Sequence, residues 1–143
     1  MRVYAPLSAE GLLCLQAKGI LAGPVEAVAA TEHVRARLAG VSEEEAEYAV
    51  TTAAAETSLA QLRESGATTG RRIVVVAEVP TADVSEPDAC PPDEPTGQVV
   101  VHRDIEPEEV AALLADAEPI DLCADPGAEL AWFATSEIAA LLA

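Results

Sequence analysis

Four consecutive β-branched residues, Ile73-Val74-Val75-Val76, make an apolar run with no polar position inside it. Successive side chains of a strand point to opposite faces, so a strand with one face in water should alternate, and this one does not. The run predicts a central strand within 71–79, covered on both faces and closed by Pro80. The natural assembly around such a strand is a sheet with helices packed on it.

The rest of the chain must build that cover against a large charge. Of 143 residues, 25 are acidic and 8 basic, a formal charge of −17, yet half of the residues are hydrophobic. Acid in such excess is common in disordered chains, which lack the apolar side chains needed to offset ordering entropy. This chain has them. It is expected to fold as a single globular domain over 1–143, burying about two-thirds of its unfolded surface. Its aromatic residues are Tyr4, Tyr48, Trp132 and Phe133, so the core must be made of Leu, Val, Ile and many alanines.

Local signals place the remaining elements. A short strand is expected over 2–7, with Val3 and Ala5 on one side and Tyr4 on the other. Ser8 is placed to cap a helix whose apolar stripe is Leu12, Leu13 and Leu15, stopped by Gly19. A second strand follows over 25–30, then a short helix capped by Thr31, carrying Val34 and Leu38 and ended by Gly40. Ser42-Glu43-Glu44-Glu45 is a capping box: the hydroxyl accepts from the Glu45 N–H, and three carboxylates complement the positive helix end. The helix it starts should reach Gly66 with Tyr48, Thr52, Ala55, Leu59 and Leu62 along one apolar face.

Prolines among acidic residues predict an acidic, Pro-rich loop over 81–97, followed by a strand over 98–105. Pro107 and Pro126 each stand where a helix would begin. The first such helix would bury Val110, Leu113 and Leu114; the last would align Leu130, Ala134, Ile138 and Leu141 on one face. The stretch 119–123 reads as edge strand or coil. The sum is an α/β fold, with α+β as its close alternative: a mixed sheet of about four strands packed with about five helices, helices between strands permitting parallel crossovers.

Composition also excludes ligands. Nucleic-acid binding runs on neutralising phosphates, and one lysine with seven arginines cannot supply that on so acidic a chain. Anionic membrane surfaces are disfavoured for the same reason, and no apolar run reaches the roughly 18 residues of a membrane span. The N-terminus has no charged-then-apolar signal pattern, and three scattered cysteines fit reduced thiols, so the cytoplasm is the expected location. His33 and His102 match no metal-ligand spacing, no G-x-S-x-G elbow accompanies any serine, and the stretch 66–72 lacks the lysine of a phosphate loop. No metal or cofactor is expected, and no catalytic motif is present.

What remains are a few side chains in unusual settings. On the expected last helix Glu137 falls within the stripe of Leu130, Ala134 and Leu141, and Trp132 projects from nearly the opposite side. A carboxylate in an apolar stripe must pair, accept hydrogen bonds or shift its pKa, which is one route to a general base; Glu47 on the long helix is the other candidate. Tyr4, Tyr48, Trp132, Glu137 and Glu47 are the candidate binding residues.

Three blocks carry a resemblance: 1–6 (MRVYAP), 44–49 (EEAEYA) and 129–138 (ELAWFATSEI). With 28–31 and 71–75, which fall at similar segments, the chain resembles an uncharacterised family of small actinobacterial proteins of unknown function. The resemblance implies no activity and so assigns no catalytic residue. The leading expectation is a small cytoplasmic module that binds another protein, a second copy of itself included, motivated by the charge excess, the off-stripe Trp132 and the lack of catalytic chemistry. One alternative is a small-ligand binder or enzyme using Glu137 or Glu47 in a pocket. The other is an acidic polyanion mimic that occupies a basic protein groove.

Overall fold

The computed structural model describes residues 1–37, 40, 42–86, 97–124, 127 and 129–142. Its centre is the pair β1 (Arg2–Pro6) and β4 (Ile73–Glu78), antiparallel with Tyr4 opposite Val76. Alternation in β1 divides the interior. Val3, Ala5 and Leu7 belong to one apolar cluster with Val75 and Ala77, while Tyr4 belongs to a second with Val74 and Val76 on the other face. All of these residues are buried, so the central strands are covered on both sides as their composition requires.

Outward from β1 lie β2 (Val25–Val28), β6 (Gln98–Val101) and β5 (Val84–Ser85); outward from β4 lie β7 (Val110–Ala115) and β9 (Ala131–Phe133). The order β5-β6-β2-β1-β4-β7-β9 makes a seven-stranded sheet in which every pairing is antiparallel. A separate ribbon pairs β3 (Thr69–Gly70) with β8 (Ile120–Asp121). The expected mixed sheet is therefore not formed. β2 and β4, joined through α2 (Glu32–Arg37) and α3 (Glu43–Glu64), run parallel as a helical crossover allows, but β1 lies between them. β1 and β2 pair antiparallel because the helix that connects them makes a round trip. After Gly19, in left-handed conformation at φ 74°, residues 19–24 bring the chain back, and Leu21 bridges Ile105 on the way.

The helices form two layers. On one face α1 (Ala9–Lys18) packs against α4 (Ile138–Leu142) through Leu12, Leu15, Ile138 and Leu141. Leu13, expected in the stripe of α1, is instead exposed. On the other face lie α2 (Glu32–Arg37) and the long α3 (Glu43–Glu64). Thr31 caps α2 as expected, its hydroxyl accepting from Val34 N at 3.2 Å; Leu38 lies outside the described residues. The capping serine of α3 also holds, Ser42 Oγ accepting from Glu45 N at 3.2 Å.

α3 is turned relative to the expected face. Ala46, Val50, Ala54, Ala55 and Ser58 are buried, and Tyr48 stands out 61% exposed. Alanines let the helix axis approach the sheet closely, which leaves the large ring at the margin of the contact and not beneath it.

Further expectations are corrected. With the two-residue ribbon included, the strands outnumber the expected four, and the described α-helices number four where about five were expected. The segment after Pro107 is a 3₁₀ turn (Pro107–Glu109) leading into strand β7, not a helix. Val110–Ala115 is a six-residue apolar run that periodicity alone does not assign, and Ile73–Val76 offers it a ladder with both faces buried. The final segment is likewise strand β9, a 3₁₀ turn (Thr135–Glu137) and the short α4, so Leu130 and Leu141 do not share a helix face. Asp125-Pro126 and loop residues 87–96, Cys90 among them, lie outside the described residues. The near end of the expected loop, 81–85, is a 3₁₀ turn and strand β5, and the strand expected over 98–105 stops at Val101.

Candidate functional site

α3 lies over β2, β1 and β4, but the sheet continues two strands further, to β7 and β9. The strip left beside α3 becomes an open cleft of about 400 Å³. Cross-strand register explains its floor. Tyr4, Val76 and Ala112 lie in one row across three strands, and Val74, Leu114 and Trp132 in the next. Just beyond the first row, between Val76 and Ala77, the register of β4 and β7 shifts past Ala111, which opens onto the cleft. One wall is the α3 surface carrying Glu44, Glu47, Tyr48 and Thr51, residues three or four apart and so on one side of the helix. The opposite margin is Trp132, 64% exposed on the terminal strand of the sheet.

A second cleft of about 490 Å³ continues from the first, sharing Arg2, Tyr4 and Glu47 with it. Its lining is polar: Glu32, Arg35, Glu43 and Glu78. Arg2 sits at the junction, its Nε donating to Glu78 Oε1 at 2.7 Å and its Nη1 lying 3.7 Å from Glu47 Oε1. The bond to Glu78 holds the guanidinium above its ordinary pKa. Arg35 is likewise paired with Glu43, which lowers the Glu43 pKa. Beneath them Tyr4 is 5% exposed. Burial raises the pKa of its phenol and the nearby Glu47 carboxylate adds to this, while hydrogen bonds with Thr51 and Arg2 pull the other way.

Four of the five residues singled out from the sequence therefore meet in one place: Tyr4 as floor, Glu47 and Tyr48 on the helix wall, Trp132 on the far margin. Glu137 does not join them. It is exposed in the 3₁₀ turn ahead of α4, where its carboxylate accepts from Ala134 N at 3.1 Å. The helix that would have set it in an apolar stripe does not exist, so the reason for singling it out is gone. Residues missed by sequence reasoning are Arg2, Glu44 and Leu114. Arg2 and Glu44 could have been found as charges next to Tyr4 and one helical turn before Tyr48.

Other chemistry is sparse. Ser85 Oγ lies 2.5 Å from His102 Nε2 on the exposed β5–β6 edge, a contact that lines neither cleft. A third cleft, bordered by Leu15, Pro107, Val110 and Ile138, has no charged side chain in its lining. Among the described residues no group of three or more His, Cys, Asp or Glu is placed to hold a metal ion, and the His33 side chain is outside the described set. No described helix is long and apolar enough to cross a membrane.

Fold and site together define a mixed α/β protein with an aromatic, acidic groove beside its longest helix. The chain belongs to a family of unknown function, DUF6912, whose family model matches residues 1–142. No curated protein and no solved structure matches it.

Proposed function

We propose that the protein is a binding module and that the groove between α3 and β9 receives a segment of another protein. The observation that carries this reading is the pair Tyr48 and Trp132, both more than half exposed and set on opposite margins of one cleft with an apolar floor. Large aromatic rings are the side chains that contribute most when a partner covers them, and they cost little entropy to order. A formal charge of −17 works against a second copy of the chain as occupant and favours a basic partner. A cytoplasmic setting goes with this reading, since Cys14 and Cys123 are both free and exposed.

An enzymatic or small-ligand role for Glu47 is less well supported. Its carboxylate already faces the Arg2 guanidinium, which suits an ion pair better than a base awaiting a proton.

Affinity capture from native cell extract at low and high salt, with wild type, Tyr48→Ala and Trp132→Ala as baits, tests the proposal. Proteins held by wild type should be lost from both variants and should leave wild type as salt screens the surface. Retention of the same proteins by all three baits would reject the groove as the docking site.

A further inference from the structure

We infer that the groove reads positive charge: its ligand is a cationic side chain of a basic partner segment, seated between Tyr48 and Trp132 with the Glu44 and Glu47 carboxylates beside it. This rests on the docking role proposed above and adds the chemistry that the partner must present.

The charge balance of the walls points this way. The two joined clefts are lined by the carboxylates of Glu32, Glu43, Glu44, Glu47 and Glu78 against the guanidiniums of Arg2 and Arg35 and the terminal ammonium. Each of those cations is already engaged: Arg2 with Glu78 and Glu47, Arg35 with Glu43, and the Met1 ammonium with Val79 O at 2.6 Å. Glu44 has no basic partner among the described residues and stands one helical turn before Tyr48. An incoming cation meets a free carboxylate without displacing an existing pair, whereas an anion meets uncompensated repulsion.

The rings point the same way. The face of an aromatic ring carries negative potential, tryptophan's most of all, and a cation over it is attracted within about 6 Å. Ala111, Ala112 and Leu114 form an apolar floor between the two margins, suited to the methylene stem of a long basic side chain. Arginine fits both halves of the site, because its planar guanidinium can stack on a ring and donate sideways to a carboxylate. Neither feature alone would select a cation; exposed rings and an unpaired carboxylate in one cleft do.

Trp132 is the only tryptophan of the chain, so its emission reports on this groove alone. The full-length protein is titrated with a flexible Gly/Ser peptide carrying several arginines and, separately, with the same peptide carrying neutral citrulline at those positions. The arginine peptide should change Trp132 emission saturably, with an affinity that falls as salt rises. The citrulline peptide should bind at least about tenfold more weakly. A Glu44→Gln/Glu47→Gln variant with unchanged circular dichroism should lose about tenfold in affinity for the arginine peptide. Equal binding of the two peptides would overturn the inference and leave docking in the groove intact. Silence toward both peptides, with captured proteins still lost from Trp132→Ala, would do the same. Silence toward both with captured proteins unchanged would overturn the docking role as well.

Discussion

Arg72 and Asp116 meet almost wholly out of water, Arg72 Nη2 and Nε donating to the two carboxylate oxygens at 2.7 and 3.0 Å. The Arg72 backbone N–H donates to the same carboxylate at 2.8 Å, and the guanidinium also reaches Gly127 O at 2.6 Å and Glu129 O at 3.4 Å. One pair thus ties the start of β4 to the end of β7 and to the segment that leads into β9. Asp116→Ala would strand a buried guanidinium and should lower unfolding free energy by about 3–5 kcal/mol in urea titration. Because Arg72 also anchors the approach to Trp132, native-state tryptophan emission should change in the same variant.

Ser58 provides a smaller test of the α3–sheet contact. Its hydroxyl, on a residue 1% exposed, accepts from the Ile73 backbone N–H at 3.1 Å. Ser58→Ala leaves that buried donor without a partner and should cost about 1–3 kcal/mol by the same titration.

Acid sensitivity should arise in part from Glu109. Its bond to Arg103, aided by the Glu106 backbone N–H at 2.9 Å, lowers its pKa from 4.5 to about 2. A depressed carboxylate contributes stability that is complete above its unfolded pKa and disappears as pH falls through the folded value. Wild type should therefore melt above Glu109→Gln at pH 6, with the gap closing between about 4.5 and about 2. A gap that stays constant over that window would exclude this origin.

Gly23 has no room for a side chain. A Cβ there would stand 2.3 Å from the Arg103 carbonyl oxygen, a backbone atom that cannot swing aside. Gly23→Ala should destabilise by about 1–3 kcal/mol, seen as a lower melting temperature.

Tyr48→Ala separates binding from folding. The ring is mostly exposed on a helix where alanine is the better former, so thermal stability should stay within about 0.5 kcal/mol of wild type. A large loss would mean that Tyr48 serves the fold and not a partner.

Local chemistry made much of the architecture legible. Ser8, Thr31 and Ser42 cap where their hydroxyls predict, and the Val3/Tyr4/Ala5 alternation divides the interior into its two clusters. Val110–Ala115 was not legible, because six apolar residues satisfy either period and only the ladder with β4 decides between them. The same holds for Ala131–Phe133: the helical spacing of Leu130, Ala134, Ile138 and Leu141 runs through it, yet the segment pairs with β7. Tyr4, Glu47, Tyr48 and Trp132 could be singled out as unusual side chains, but their meeting depends on the β7–β9 pairing and on the rotation of α3. Glu137 was singled out through a helix that the chain does not form.

β1 comes from the first residues of the chain, yet it lies inside the sheet between β2 and β4. Its ladder with β4 joins Arg2 to Glu78, so on the ribosome one flank of β1 stays unzipped until Glu78 has emerged. Throughout that interval a nascent strand bearing Val3, Tyr4 and Ala5 is open to neighbouring nascent chains. Heat during translation should therefore lower the yield of native molecules far more than equal heat applied to the finished protein, with chaperone supply setting how much is recovered.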